Sequence, residues 1–269
     1  MQKVILITGS TDGIGLETAR MLITRGHRVL IHGRNQARID QAVTILSKVS
    51  GGNLVEGYLA DLSNMAEVIA LADEVRQNHE KLDVLINNAG VLKTPQRVTQ
   101  DGLDIRFAVN TIAPYLLTQR LLPLLASDAR IINLSSAAQA SVDLGALAGS
   151  MQLSDDLNAY SQSKLALTMW SRTLAQTLPD SGPTVIAVNP GSLLATKMVQ
   201  EGFGVAGHDV AIGADILTRL SLDDEFATAS GKYFDNDRRA FADPHTDAMD
   251  TAKSEEVVAA IEAVLANLL

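Results

Sequence analysis

Tyr160-Ser161-Gln162-Ser163-Lys164 places a phenol and an amine four positions apart in a stretch of helical pattern. That spacing puts both side chains on one helix face. A free phenol has a pKa of about 10 and is a poor proton donor at neutral pH. A neighbouring ammonium favours the phenolate and lowers that value, so Tyr160 could exchange a proton with a carbonyl or alcohol oxygen. Upstream, Ile131-Ile132-Asn133-Leu134-Ser135-Ser136 ends an apolar run in two hydroxyls. A serine there can hydrogen-bond a substrate oxygen and stabilise charge developing on it. Near the start, Thr8-Gly9-Ser10-Thr11-Asp12-Gly13-Ile14-Gly15 joins an apolar run to an amphipathic one. Gly9 permits a tight turn, Gly13 lets backbone approach a pyrophosphate, and Gly15 allows close helix–strand packing. The helix N-terminus behind this turn offers free N–H groups and a positive dipole end to phosphates.

The elements that must position these groups are legible as alternating patterns. Short, nearly continuous Val/Ile/Leu runs predict strands at 4–8, 28–32, 54–59, 84–87, 130–135 and 184–189, with 232–234 a candidate seventh. Helical patterns lie at 14–25, 36–49, 65–78, 102–125, 157–178 and 254–268. Such alternation predicts an α/β fold: a single Rossmann-type, doubly wound parallel sheet flanked by helices. No repeat, linker or low-complexity tract divides the chain, so residues 1–269 read as one nucleotide-binding domain. Residues 139–156 and 192–250 lack clear periodicity and are expected to build the substrate pocket.

Composition narrows the function classes. The 269 residues are 46% hydrophobic, enough for a well-buried core. A net charge of −9 argues against nucleic-acid binding, which needs a basic surface. With no cysteine, disulfides, thiolate catalysis and cysteine-based metal sites are excluded. The five histidines show no ligand spacing, so they read as surface or structural groups and no metal is expected. No apolar run reaches the roughly 20 residues of a membrane span, so the expectation is a cytoplasmic protein without membrane partners. The apolar start could suggest a short signal peptide, but it leads directly into the glycine turn and reads as a strand.

The glycine spacing T-G-x-x-x-G-x-G resembles the short-chain dehydrogenase/reductase family, and further marks follow in order over roughly the first 200 residues. The resemblance implies a hydride exchange between a nicotinamide and a carbonyl or alcohol substrate. It implies cofactor contacts from Gly9, Ser10, Thr11, Asp12, Gly13, Ile14 and Gly15, with Thr8 supporting the turn. Asp61, beside Leu62, matches a residue that contacts the adenine. Asn87-Asn88-Ala89-Gly90 matches a motif that stabilises the sheet and borders the adenosine ribose. Pro190-Gly191 matches the corner bordering the nicotinamide, and Thr196 a threonine that contacts its carboxamide. The implied catalytic set is Asn110, Ser136, Tyr160 and Lys164, with Ser135 the competing serine. Asn110 would hold a water linked to the lysine, or would kink its helix; the two are compatible. Tyr160 and Lys164 also belong to the cofactor-binding set.

Cofactor preference turns on the end of the second strand. An acidic residue that would bind both ribose hydroxyls is missing at Gly33, and Arg34-Asn35 follows. Arg34 could pair with a 2′-phosphate and Arg38 could assist, which favours NADP over NAD. Asp12 opposes this, either repelling the phosphate or simply capping the helix. The long link between Ser136 and Tyr160, and Gly231-Lys232-Tyr233-Phe234, resemble the retinol-dehydrogenase-like branch, without carrying over retinoid specificity. Family resemblance also implies a homodimer or homotetramer built through helices 102–125 and 157–178, where Met169 and Trp170 read as core or interface residues. The rival readings are a non-catalytic NADP-binding sensor or scaffold, and sugar-nucleotide chemistry on the same scaffold.

Overall fold

The computed structural model describes residues 1–49, 51–179 and 181–269. Seven strands pair in parallel: β1 (Val4–Ile7), β2 (Arg28–Gly33), β3 (Val55–Leu59), β4 (Leu82–Asn87), β5 (Leu125–Leu134), β6 (Thr184–Asn189) and β7 (Tyr233–Asp235). An eighth, β8 (Ala240–Ala242), closes the edge antiparallel to β7. The order is β3-β2-β1-β4-β5-β6-β7-β8, so the chain reverses direction between β1 and β4. In open α/β sheets that switch point is where ligands bind, beyond the C-terminal strand ends.

Successive side chains of a strand face opposite ways, and both faces here are apolar. Ile5 and Ile7 pack with Leu22 of α1 (Gly13–Thr24), Ile39 of α2 (Gln36–Leu46) and Leu217 of α7 (Ala211–Leu222). Leu6, between them, packs in the other layer with three helices. Those are α3 (Met65–Asn78), α4 (Ala113–Leu121) and α5 (Asp156–Thr177). Two longer helices remain, α6 (Lys197–Phe203) and α8 (Thr251–Leu268), beside single turns at Leu144–Leu147 and Thr246–Met249. The pattern at 102–125 is not one α-helix. A single turn, Ile105–Phe107, runs into a π-helical stretch, Ala108–Ile112, before α4 begins. Asn110 sits in the middle of that widened turn.

α8 lies along α5, and α4 reaches it through the Tyr115 hydroxyl, which donates to Glu262 at 2.8 Å. Trp170 is completely buried and meets Tyr115 edge-on at 5.6 Å between ring centres. From 103 to 121, and from 159 to 175, no residue is exposed. Within the helix pair expected to join two copies of the chain, the exposed residues are Gly102, Pro123, Leu157, Asn158, Gln176 and Thr177, near the ends. Among the described residues no helix is long and apolar enough to cross a membrane.

Candidate active site

The glycine turn is built by close contacts. Gly9 has φ +63°, and a Cβ on it would stand 2.8 Å from Ala89 Cα. A Cβ on Gly15 would lie 2.6 Å from Asn88 Nδ2 and 2.7 Å from the Gly9 carbonyl. Gly13, at φ +55°, is different: its missing Cβ would meet only Thr196 Cγ2, 3.5 Å away. The turn is thus tight against the sheet at Gly9 and Gly15, and open at Gly13 towards a cleft.

Neighbouring polar groups lock this turn. Thr8 Oγ1 accepts from the Asn88 and Ala89 N–H groups at 3.0 and 3.1 Å, as expected of a supporting threonine. Asn88 Nδ2 donates to the carbonyls of Thr8 and Gly9. Ser10 is buried; its hydroxyl donates to the Ile7 carbonyl and accepts from His32 N–H, so its side chain builds the turn and does not line the cleft. His32 itself had no assigned role from the sequence. Its Nδ1 accepts from Gly9 N–H at 3.1 Å, so the ring proton sits on Nε2 and donates to the Ala60 carbonyl at 3.0 Å. Burial lowers its pKa to about 4, keeping it neutral. A histidine inside an otherwise apolar strand was the available signal.

A cleft of about 520 Å³ runs across the C-terminal strand ends. Gly9, Thr11, Asp12, Gly13, Ile14 and Gly15 line it on one side. One end is formed by His32, Arg34, Asn35, Asp61 and Leu62, and the other by Tyr160, Lys164, Pro190 and Thr196. Asn88, Ala89 and Gly90 lie between, and Leu92, Val109 and Met198 add apolar wall. Gly191 is not among the lining residues; it turns the corner at φ +127° against Leu194. No residue lining this cleft comes from 139–156, whose Leu144–Leu147 turn packs against α8, whereas Thr196, Lys197, Met198 and Glu201 of the other expected pocket segment, 192–250, do line it.

Charges at the Arg34 end differ from expectation. Asp12 stands at the N-cap of α1 without a capping bond, and its carboxylate pairs with Arg38 at 3.1 Å. Asn35 caps α2 by accepting from Arg38 N–H. Asp61 accepts from the N–H and hydroxyl of Ser63. Arg34 is exposed, and no ion pair engages it among the described residues.

At the other end α5 places Tyr160 and Lys164 one turn apart, with Lys164 Nζ 5.7 Å from the phenol ring centre. Lys164 is buried and Nζ donates to the Leu134 carbonyl at 2.6 Å. Burial lowers its pKa to about 7. Burial also raises the Tyr160 phenol above its usual value, with Ser136 acting the other way. The sequence spacing predicts that the ammonium lowers the phenol pKa; in this structure burial raises it instead. Ser135 spends its hydroxyl on Thr168 Oγ1 at 2.7 Å and on the Lys164 carbonyl. Ser136 Oγ accepts from Ala138 N–H and its side chain also bonds the Tyr160 phenol, while Ser135, not Ser136, lines the cleft. Gln139 and Tyr233 both donate to the Ser136 carbonyl, which holds this residue in place. Asn110 is pinned to Val91 through both side-chain ends and donates to Ser163. Its Oδ1 and Lys164 Nζ converge beside Gly90, each 3.4 Å from where a Cβ would stand. Asn87 Nδ2 bonds Thr118 and Asn133, whose own Nδ2 reaches Ser171, tying β4 and β5 to α5.

A short chain dehydrogenase family profile matches residues 3–204. This chain is a short-chain dehydrogenase. The dehydrogenase is 31% identical to retinol dehydrogenase 13 of Mus musculus over 269 aligned residues, 93% of this chain and 80% of the relative. It is 34% identical to short-chain dehydrogenase chry4 of Gibberella zeae, covering 96% of this chain and 95% of that one. A crystal structure of an uncharacterized protein from Mycobacterium Paratuberculosis superposes with a TM-score of 0.81 at 26% identity, covering 98% of this chain and 93% of that one. These likenesses place the dehydrogenase in the retinol-dehydrogenase-like branch. It is an NAD(P)-dependent oxidoreductase acting on CH–OH groups. The cradle at Gly13, where only the threonine across the cleft approaches, fits a dinucleotide's phosphates.

Proposed function

We propose that the chain uses Tyr160 as its proton donor and acceptor, Ser136 to hold the substrate oxygen, and NADP in preference to NAD. The observation that carries this reading is a cleft with the glycine turn along one flank and Tyr160 and Lys164 at its end, where Ser136 meets the Tyr160 phenol. When bound there, the nicotinamide supplies or accepts the hydride. The chain does the rest. The Gly13 backbone and the α1 N-terminus hold phosphates, and Asn88, Ala89 and Gly90 border the ribose. The Ser136 hydroxyl donates to the carbonyl oxygen and stabilises its growing charge. The phenol, kept protonated by burial, delivers a proton to that oxygen. Lys164 passes the replacement proton to Tyr160, and Asn110, converging with it beside Gly90, would hold the water that reloads the amine.

Arg34 supports the NADP reading, because its guanidinium stands at the cleft rim free of an internal partner. Leu92, Val109 and Met198 suit a carbonyl or alcohol carried on an apolar body, with Pro190 and Thr196 bordering the nicotinamide end. The test is nicotinamide oxidation by purified protein over aldehydes, ketones and quinones, with NADPH and NADH in parallel, for wild type and Tyr160→Phe. The variant is expected to keep cofactor affinity and lose about 10²- to 10⁴-fold in kcat. An active Tyr160→Phe would remove the phenol from the mechanism. Cofactor binding without turnover across the panel would favour the sensor reading.

A further inference from the structure

The family match ends at residue 204, yet the chain beyond it returns to the corner that borders the cleft. The turn joining β7 to β8 is bonded to the corner that follows β6. Ser192 donates to Asp237 twice, from its N–H at 2.8 Å and from its hydroxyl at 2.5 Å. Asn189 Nδ2 donates to Asp237 at 2.9 Å and to Asp235 at 3.0 Å. Asn236 Nδ2 donates to the Pro190 carbonyl at 2.9 Å, and its N–H donates to the Asn189 carbonyl at 3.0 Å.

The corner held in this way is not a relaxed one. Leu193 has φ +51°, a left-handed conformation that a branched side chain adopts only when its surroundings impose it. The strained segment leads within three residues to Thr196. That side chain caps α6 and stands across the cleft from Gly13, while Pro190 lines the cleft at the segment's other end. A second strap binds the same stretch from outside: His208 exchanges backbone bonds with Leu193 and Ala195 at 2.7 and 2.6 Å.

We propose that Asp237 is a positioning residue for the cofactor: it clamps Ser192 and Asn189, and thereby sets where Pro190 and Thr196 stand relative to the glycine turn. The carboxylate touches neither the reacting atoms nor the cleft, and acts only through the corner. Charged acceptors make the stronger hydrogen bonds, and one carboxylate here organises three donors from two residues. The proposal rests on the reading of this cleft as a nicotinamide site.

The test uses the full chain as wild type, Asp237→Ala and Asp237→Asn. Amide hydrogen exchange is followed in the free protein, NADPH and NADH affinities are measured by calorimetry, and kcat and KM are taken on the best substrate. In Asp237→Ala, exchange should rise about tenfold within residues 190–198 while the other parallel strands keep their protection. Cofactor Kd should rise roughly tenfold with a smaller change in kcat. Asp237→Asn, which keeps one oxygen to accept Ser192 N–H, should fall between. If Asp237→Ala does not fold, Asn236→Ala removes the bond to Pro190 and should give the same local signature. Unchanged exchange at 190–198, a rise spread evenly over the sheet, or cofactor affinity within twofold of wild type would overturn the proposal. Should wild type bind neither nucleotide, the nicotinamide reading fails by itself, and the exchange experiment alone decides the clamp.

Discussion

Removing the Arg34 guanidinium gives the sharpest test of cofactor choice. Arg34 is exposed at the cleft rim and no internal ion pair engages it among the described residues. Arg34→Ala therefore orphans no charge, and stability should stay within about 0.5 kcal/mol of wild type. A charge-assisted hydrogen bond to a phosphate contributes about 1.5–3 kcal/mol. At about 1.4 kcal/mol per decade, that is roughly a 10- to 100-fold loss in kcat/KM for NADPH, with exposure favouring the lower end. NADH lacks the 2′-phosphate and should change less than about twofold. Asp12 gives the converse arm. Its pair with Arg38 joins side chains that are 57% and 54% exposed, so it contributes about 0–1 kcal/mol and a phosphate can compete for Arg38. Asp12→Asn removes a repelling charge and frees Arg38, so NADPH affinity should rise a few-fold with NADH unaffected. Initial rates with both cofactors, at one fixed low ionic strength, check all of this. Equal losses for NADPH and NADH in Arg34→Ala, or no loss with either, would refute the electrostatic argument.

Two further outcomes follow from packing and from burial. Lys164 drops from 10.5 to about 7 on folding, so between those values the unfolded chain binds a proton that the folded chain does not. Its contribution to stability is therefore least favourable below about pH 7 and improves as pH rises toward 10.5. Urea midpoints of wild type should rise from pH 7 to 9 relative to Lys164→Met; parallel curves would show that burial does not depress the amine. Gly15→Ala should cost about 1–3 kcal/mol and weaken cofactor binding, because its Cβ meets backbone and the Asn88 amide at under 3 Å. A variant as stable as wild type in thermal melts would contradict that tight packing.

Periodic, locally encoded features were legible in the sequence. The runs at 4–8 and 184–189, the helix at 65–78 and the phenol–amine pair one turn apart are read from neighbours along the chain, and the structure repeats them closely. What escaped was set by distant partners. β8 has three residues and no alternation, and exists because β7 offers it an edge. The sequence allows Asn110 to kink its helix, but does not show that the kink is a π-helical turn at 108–112 with Asn110 bonded to Val91 and to Ser163, 53 positions on. Asp12 looks like a helix cap until Arg38 folds in beside it. Residues 139–156 look like a pocket lining because they lack periodicity, but their Leu144–Leu147 turn finds α8. His32 is one letter in an apolar strand until Gly9 and Ala60 flank it.

The C-terminal helix has a consequence for how this protein can meet copies of itself. In the single chain no residue from 103 to 121 or from 159 to 175 is fully exposed. α8 covers α5 along its length, with the Tyr115–Glu262 bond fastening it to α4. A cut that released α8 would uncover apolar side chains of α5 that now pack against it, as a raw adhesive face.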